Sequence, residues 1–356
     1  MCFFKILEWD KAKDYKAVIE MRLKYIDLTK GFAIVLMLWG HTMTSVNSVH
    51  LWIYSFHMPI FFIICGILLR LKEEENNGEY HLANIIIRRL YTAGIPYFIF
   101  GFVLAGFYSV LNILAHQPIS LGSRLFKVFT FQGIDSLWFL PAYVFADIVA
   151  LCIEDISNAH IKKYLRIIVT SVALFIACFL QSYMTVWYFD ILYKVILGIC
   201  FIEIGILISK YRIIEKLPLW GTVLFLLIGI ICSQVNGEVE MSPTKIGNPA
   251  IYFPCTIITS IAIMRLFKMI EDKKWTLLKY MEEYGKNTIV LLVTNNLIIE
   301  IVRLFDYKLF GNILIKLGMI GSIIFTSFLI VAEWLIIKIS KGPFSPIFGY
   351  IKRGKR

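Results

Sequence analysis

The chain has 356 residues, of which 58% are hydrophobic and 17% are charged, with a formal net charge of +11 and a mean hydropathy of +0.73. A soluble domain could not bury so much apolar surface, so the composition excludes an ordinary soluble protein and indicates a polytopic membrane protein. The positive charge does not indicate nucleic-acid binding, because the Lys and Arg residues stand in short clusters between apolar runs, as the positive-inside rule predicts.

The apolar runs predict the fold class. A helix that crosses a hydrocarbon core of about 30 Å needs roughly 20 residues. Ten runs of suitable length lie near residues 31–46, 51–70, 85–111, 135–153, 164–181, 188–208, 217–233, 250–267, 287–304 and 317–337. The predicted fold is therefore an all-α integral membrane bundle of about ten transmembrane helices, with both termini on one side.

The distribution of basic residues predicts which side that is. All but seven of the 36 Lys and Arg residues lie at the termini or in the connections near residues 70–90, 154–166, 209–216 and 265–286. The seven exceptions are Arg124, Lys127, Lys194, Lys245, Arg303, Lys308 and Lys316. This bias predicts that both termini are cytoplasmic.

The polar segments divide the chain. Residues 1–24 lack the apolar core of a signal peptide and are predicted to be a cytoplasmic N-terminal segment, loosely patterned as an interfacial helix. Residues 25–340 are the predicted transmembrane domain, and residues 341–356 are a basic cytoplasmic tail. Residues 273–283 have the spacing of a short amphipathic helix, with Trp275 on its apolar face.

Cysteines and glycines are interpreted as packing residues. The seven cysteines form no CxxC pair and no Cys/His cluster, so neither a metal site nor a disulfide is expected. Glycines inside the predicted spans are expected to mark close helix contacts. These glycines are Gly40, Gly66, Gly94, Gly101, Gly198 and Gly205.

Three polar residues share one face of the first predicted span. His41 follows Lys30 by eleven residues, which is about three helical turns and about 16 Å along the axis. Asp27 lies on the same stripe and is placed to pair with Lys30. Ionisable residues inside a membrane are costly, so His41 is a candidate catalytic residue. The alternatives are a structural histidine bonded to a neighbouring helix and a lysine that only anchors the helix end.

A second histidine, His57, stands two residues before Pro59 in the second predicted span. Proline removes a backbone donor and loosens the helix, which suits the wall of a cavity. We expect His57 to lie in the outer half of the bilayer near His41, which makes it the second candidate catalytic residue. An interfacial histidine on a kinked helix is the alternative.

Other polar residues complete the candidate site. Arg88 and Arg89 mark the cytoplasmic start of the third span, where guanidinium groups suit phosphates or simply anchor the topology. Trp138, at the outer start of the fourth span, is either an aromatic-belt residue or a stacking surface for a sugar. Asn295 in the ninth span is a further candidate for acceptor binding. The sequence assigns no partners to four other charged residues: Asp147, Lys194, Glu203 and Glu333.

Several of these segments resemble the membrane acyltransferase-3 family and, within it, the fucose 4-O-acetylase-like branch. The resemblance is carried by Tyr-Ile-Asp-x-x-Lys-Gly at residues 25–31, by the Gly-His pair at residues 40–41 and by residues 56–66, which begin Phe-His-Met-Pro-Ile-Phe-Phe. Trp-Phe-Leu-Pro at residues 138–141 and Tyr-Gly-Lys-Asn-Thr at residues 284–288 are similar to later family motifs.

The resemblance implies ten spans with cytoplasmic ends, and transfer of an acyl group, usually acetyl from acetyl-CoA, to a glycan hydroxyl. Lys30 and His41 match the family pattern of a basic residue and a histidine on the first helix. The arginines of the third span are usually separated by two residues in the family, whereas Arg88 and Arg89 are adjacent. Many members have a histidine in the span where this chain has Asn295.

The expected function is therefore that of a membrane O-acyltransferase, and the predicted domain 25–340 is its acyltransferase domain. His41 acts as general base or as a transient acyl carrier, and His57 shares the proton transfer or binds the acceptor. Lys30, Arg88 and Arg89 hold the phosphates of acetyl-CoA, the acyl donor. The expected partners are acyl-CoA, a glycan or lipid-linked sugar and membrane lipids, with neither metal nor nucleic acid.

The expected location is the cytoplasmic membrane of a bacterium. The sequence leaves open the sugar, the acyl group and whether the protein forms oligomers. A transporter of glycans or lipids is one alternative, although the chain lacks the duplicated halves common in transporters. A non-catalytic membrane subunit of a polysaccharide assembly complex is another, and such a subunit would tolerate the loss of His41.

Reporter fusions test the predicted orientation. A reporter fused at Arg356 and the same reporter inserted within residues 236–247 should mark opposite faces of the membrane, because the basic residues favour the cytoplasm. Labelling of the same face at both positions would contradict the ten-span arrangement.

Overall fold

A computed structural model describes residues 23–75, 82–179 and 187–350. Apart from an isolated β-bridge between Glu240 and Lys245, the regular structure of these residues is helical. The α-helices, labelled α1 to α16 in chain order, are Lys24–Thr42, Ser48–Phe56, Pro59–Glu75, Leu82–Arg89, Ile95–Leu114, Leu121–Phe129, Phe139–Glu154, Ala159–Phe179, Trp187–Lys210, Ile213–Lys216, Leu219–Asn236, Pro249–Ile270, Thr276–Lys286, Thr288–Phe310, Ile313–Lys316 and Gly318–Ser340. A π-helical turn, Leu90–Gly94, joins α4 to α5, and a 3₁₀ turn, Asp135–Trp138, precedes α7.

Eight helical segments of the described chain are long and apolar enough to cross a membrane. They are Ser48–Glu73, Leu82–Leu114, Asp135–Glu154, Phe189–Lys210, Leu219–Asn236, Pro249–Ile270, Thr288–Phe310 and Gly318–Ser340. Helices α1 and α8 lie at the two remaining predicted spans, but charged residues in their first turns shorten their apolar stretches. The predicted all-helical fold is confirmed, whereas the count of ten and the cytoplasmic termini stay predictions.

Two of the predicted segments lie at or beyond the limits of the described chain, and a third lies within it. The interfacial helix predicted within residues 1–24 falls almost wholly outside the described residues, as does the end of the basic tail, residues 351–356. The amphipathic helix predicted at residues 273–283 is present as α13. Its Leu278 is buried against the protein, and the preceding Trp275 is exposed on the surface.

Side chains that satisfy free backbone donors set several helix boundaries. Asn47 caps α2, where its Oδ1 accepts a hydrogen bond of 3.0 Å from the backbone N–H of His50. Asn248 caps α12 in the same way, by accepting a hydrogen bond of 3.0 Å from Ala250. Pro249 occupies the first turn of α12, where its missing N–H leaves no bond unmade.

The closest packing between α3 and α9 depends on two glycines. A methyl carbon on Gly66 would stand 1.9 Å from the carbonyl oxygen of Ile202. A methyl carbon on Gly205 would stand 2.0 Å from the carbonyl oxygen of Ile63. Only a hydrogen atom fits in either gap, so the two backbones touch at this crossing.

The interpretation of glycines as contact residues is thus confirmed for Gly66 and Gly205, and it is wrong for one other position. Gly94 has no heavy atom within 4 Å of a built methyl carbon. It lies instead on the wall of an apolar cavity of about 530 Å³ between the π-helical turn, α5 and α7. Its position in a π-helical turn, rather than in a packed helix face, accounts for the difference.

A network of ion pairs joins α3, α7, α8 and α9. Arg166 contacts Glu154, and its Nε lies 2.9 Å from Oε2 of Glu203. Lys162 Nζ lies 3.1 Å from Oε1 of Glu73 and 3.3 Å from Oε1 of Glu154. The sequence assigns no partner to Glu203, and the structure shows that it forms an ion pair with Arg166. Loss of one member would leave a buried charge uncompensated, so the network ties these four helices together.

Gly66→Ala tests the crossing of α3 and α9. The added methyl group forces the backbones apart, and we expect it to destabilise the protein by about 1–3 kcal/mol, the usual cost of overpacking. Gly106→Ala is the matched control, because no heavy atom lies within 4 Å of the added carbon. Melting temperatures of the purified proteins in one detergent compare them; equal values would contradict the close crossing.

Candidate active site

A cavity of about 230 Å³ lies between α1, α3, α7, α14 and the π-helical turn. Four basic side chains line it, and the rest of its wall is mostly apolar. We call it the basic cavity, after these residues: Lys30, Lys72, Arg89 and Lys286. Such a cavity suits a ligand that carries anionic groups and an apolar or neutral extension.

The first helix contributes Lys30 to this cavity. Lys30 Nζ lies 2.7 Å from Oδ1 of Asp27, whose carboxylate is buried. The pairing predicted from the spacing of these residues is confirmed. Asp27 also lines the cavity, so the pair presents a partly neutralised cation to it.

A close backbone contact brings α13 against this part of α1. A methyl carbon on Gly31 would stand 1.9 Å from the carbonyl oxygen of Met281, and one on Gly285 would stand 1.7 Å from that of Asp27. The next residue after Gly285 is Lys286, which contacts Glu282 of its own helix and reaches the cavity. The two glycines therefore place Lys30 and Lys286 on the same cavity wall.

The C-terminal part of α13 is also held to α16. Lys338 and Lys341 donate hydrogen bonds of 2.8 and 2.9 Å to Oε1 of Glu283. These hydrogen bonds lower the pKa of the Glu283 carboxyl below its ordinary value. The charged carboxylate thus fixes α13 from the side opposite its contact with α1.

The two predicted arginines occupy different environments. Arg89 lines the basic cavity, and its Nε lies 2.8 Å from Oδ2 of the fully buried Asp147. Asp147 also accepts a hydrogen bond of 3.1 Å from the thiol of Cys65. Arg88 is not among the lining residues, because adjacent helical residues point about 100° apart. The structure thus brings Arg89, and not Arg88, to Lys30.

Sequence reasoning missed two of the four cations. Lys72 lies in the last turns of α3, where a basic residue in a connection indicates only the membrane topology. Lys286 belongs to the Gly-Lys-Asn motif, which carries the family resemblance but assigns no role to the lysine. That motif was the available signal, since it places a cation directly beside a glycine at a helix end.

The histidines lie outside the basic cavity, around a tyrosine. The ring centroid of Tyr54 lies 6.4 Å from that of His41 and 4.9 Å from that of His57, and the ring planes are inclined by 79° and 63°. A third histidine, His50, stacks on Tyr54 at 3.9 Å. The structure therefore brings the two predicted histidines together and adds His50. We call these residues the histidine cluster: His41, His50, Tyr54 and His57.

His50 was not recognised as a candidate from the sequence. The signal was its spacing, because His50, Tyr54 and His57 stand at i, i+4 and i+7 and share one face of a helix. The rings pack on one another instead of converging on an ion. Within the described residues, no group of three His, Cys, Asp or Glu side chains is placed to hold a metal.

Two contacts fix the geometry of the predicted catalytic histidines. The Nδ1 of His57 lies 2.9 Å from the carbonyl oxygen of Ile53, which favours the tautomer with the proton on Nδ1 and leaves Nε2 as an acceptor. The backbone carbonyl of His41 accepts a hydrogen bond of 3.0 Å from Arg303. The His41 side chain itself is half-buried.

The basic cavity and the histidine cluster lie one above the other on the same helices. Ile34 lines the cavity seven residues before His41, which is two helical turns or about 10 Å. Phe61 lines the cavity four residues after His57. The cavity therefore ends below the histidines, and apolar side chains separate the two.

The predicted acceptor residues are buried beside this boundary. Trp138 is 6% exposed, and Lys194 Nζ lies 5.0 Å from its ring centroid, so it is not an aromatic-belt residue. Lys194 pairs with Asp190 at 2.6 Å. Asn295 accepts a hydrogen bond of 2.9 Å from the hydroxyl of Ser136 and is fully buried. Neither side chain lines the basic cavity, although Phe139, next to Trp138, and Leu292, one helical turn before Asn295, do.

Residues 23–332 match the family described as Acyltransferase domain, the acyltransferase-3 family. No curated protein and no solved structure shows significant similarity to the chain. The resemblance to the fucose 4-O-acetylase-like branch stays a prediction. Because the family match covers most of the chain and the fold is a bundle of membrane-crossing helices, the protein belongs to the acyltransferase-3 family and is a membrane acyltransferase.

Proposed function

We propose that the protein transfers an acyl group, acetyl in the first instance, from cytoplasmic acyl-CoA to a hydroxyl of a glycan or lipid-linked sugar at the bacterial cytoplasmic membrane. The observation that carries this proposal is the arrangement along α1. One helix supplies Lys30 to a cavity with four cations and His41 to a cluster of imidazoles two turns beyond it. Donor and acceptor can thus meet inside the membrane from opposite sides.

The basic cavity suits the donor. Acyl-CoA carries phosphates at one end and a long, mostly neutral arm that ends in the thioester. Phosphates form strong charge-assisted hydrogen bonds with lysine and arginine, so Lys30, Lys72, Arg89 and Lys286 bind that end. The arm extends along the apolar wall toward Ile34.

The thioester reaches the histidines only if the arm passes the apolar boundary. Ile34 is about two helical turns from His41, and the Phe61 ring stands beside that path. The charged end of the donor stays at the cations while the neutral end enters the bundle. An apolar boundary therefore excludes water and ions from the thioester until the donor is bound.

The imidazole of His41 supplies the proton transfer. In its neutral form it accepts the proton of the acceptor hydroxyl, whose oxygen attacks the thioester carbonyl carbon. The carbon–sulfur bond then breaks, and the leaving thiolate takes the proton from the imidazolium. A transient acyl-histidine gives the same products in two steps: the imidazole displaces the thiolate, and the sugar hydroxyl then attacks the acyl-imidazole, forms the ester and releases the imidazole. His57 Nε2 is available to the acceptor in either scheme.

The position of the basic residues supports entry of the acyl donor from the cytoplasm. The cations of the basic cavity belong to the side that the positive-inside rule assigns to the cytoplasm, where acyl-CoA is made. The histidine cluster lies toward the other side. An exported or lipid-linked glycan therefore approaches from the extracytoplasmic side.

His41→Ala tests the general base. Removal of the imidazole should reduce acyl transfer by about 10²–10⁴-fold, the usual contribution of acid–base catalysis, without lowering the melting temperature. His160→Ala is the control, because His160 is exposed at the start of α8. Transfer of radiolabelled acetyl to the total glycan fraction of membranes measures both. Wild-type transfer by stable His41→Ala protein would exclude this role.

Lys286→Gln tests the phosphate site. Replacement of Arg89 is a poorer test, because it also removes the ion-pair partner of the buried Asp147 carboxylate. A charge-assisted contact contributes about 1.5–3 kcal/mol, so we expect the Kd for acetyl-CoA to rise by tenfold to about a hundredfold. Lys279→Gln, on the same helix but outside the cavity, is the matched control. Titration calorimetry on purified protein gives both constants; equal values would place the phosphates elsewhere.

A further inference from the structure

We infer that Tyr54 is a positioning residue that holds the imidazoles of His41 and His57 in the orientation needed for acyl transfer. The inference rests on the proposed function, because it assigns a role within that same site. It is carried by the packing of three imidazole rings on one phenol ring. Neither histidine has another ring contact of that kind in the described chain.

The stacking with His50 fixes one face of Tyr54. Their ring centroids are 3.9 Å apart and the ring planes are inclined by only 20°. His50 is buried, and its Nδ1 has no hydrogen-bond partner in the described structure. His50 therefore covers one face of the Tyr54 ring, and the contacts of Tyr54 with His41 and His57 are ring-packing contacts.

Gly40 gives Tyr54 its place beside His41. A methyl carbon at Gly40 would stand 2.7 Å from Cε2 of Tyr54 and 3.5 Å from its hydroxyl oxygen. The phenol ring therefore lies directly over the backbone that precedes His41. This glycine is a family signature position in the sequence, and the structure supplies a physical reason for it.

The helix that carries Tyr54 is held at both ends by distant segments. The Ser48 carbonyl accepts a hydrogen bond of 3.1 Å from Gln234, and the Ser55 carbonyl accepts one of 2.6 Å from Thr256. A residue whose helix is anchored on both sides can hold a neighbouring ring in a fixed orientation.

The end of α1 is anchored as well. The Thr42 hydroxyl lies 2.9 Å from that of Ser322 and 2.8 Å from that of Thr326, both on α16. Arg303 of α14 binds the His41 carbonyl. The backbones on both sides of the cluster are thus fixed, and Tyr54 fills the space in which the His41 ring could otherwise turn.

Replacement of Tyr54 separates the ring from the hydroxyl. Tyr54→Phe keeps the packing, so we expect kcat within a fewfold of wild type. Tyr54→Leu removes the ring, and a catalytic group displaced by about 1 Å can lose about a hundredfold in rate. We therefore expect kcat of Tyr54→Leu to fall by that order while KM for acetyl-CoA is unchanged. Trp52→Leu, which removes a ring packed on Phe56 instead, should retain wild-type kcat.

Gly40→Ala provides a second variant. Its methyl group displaces the Tyr54 ring from α1 while leaving the phenol in place, so its kcat should fall as in Tyr54→Leu. If Tyr54→Leu does not fold, Gly40→Ala tests the positioning role instead. Unchanged kcat in stable Tyr54→Leu or Gly40→Ala would overturn the inference, and so would a loss in Tyr54→Phe equal to that in Tyr54→Leu, because the hydroxyl would then be the active group.

A chemical readout tests positioning without acyl transfer. Diethyl pyrocarbonate modifies accessible, unprotonated imidazoles, and mass spectrometry gives the rate at His41 in purified protein. We expect Tyr54→Leu to raise that rate and Tyr54→Phe to leave it unchanged; equal rates in all three proteins would overturn the inference. If the wild type transfers no acyl group, the proposed function fails, and this measurement still decides whether Tyr54 holds His41.

Discussion

The backbone contact between α1 and α13 is the constraint on which the basic cavity depends. Side chains of any size at Gly31 or Gly285 would collide with a carbonyl oxygen at less than 2 Å. Because both residues are glycine, the helices touch and Lys30 and Lys286 face one cavity. The Lys30–Asp27 pair then reduces the repulsion between cations that the approach creates.

Most charged side chains buried among the helices form ion pairs. Arg89 pairs with Asp147, Arg166 with Glu203 and Lys194 with Asp190. Desolvation of an unpaired ion costs several kcal/mol, so the first two pairs, which join different helices, fix the neighbours of the helices that carry them, whereas Lys194 and Asp190 pair within α9. Glu333 differs, because its buried carboxyl accepts a hydrogen bond of 2.8 Å from Thr294 and forms no ion pair in the described structure. Structural pairing thus accounts for most charges that the sequence left unassigned.

The separation of the basic cavity from the histidine cluster keeps water away from the imidazoles in the proposed reaction. A cavity continuous with water would solvate the imidazoles and the thioester, and it would weaken every electrostatic contact between them. Apolar side chains between Ile34 and His41 prevent this. In the proposed reaction, the donor binds through its charged end, and its neutral arm is the only part that must cross the boundary.

The sequence by itself determined the features that depend on local periodicity and composition. Lys30 and His41 share a helix face because helical rotation is fixed at each step, and Asp27 pairs with Lys30 for the same reason. Apolar runs gave the all-helical membrane fold. Only the tertiary structure decided that Lys286 joins Lys30 at one cavity, that Arg89 pairs with Asp147 and that Tyr54 of α2 contacts His41 of α1. These contacts join different helices, and helix packing, which no local pattern encodes, sets them.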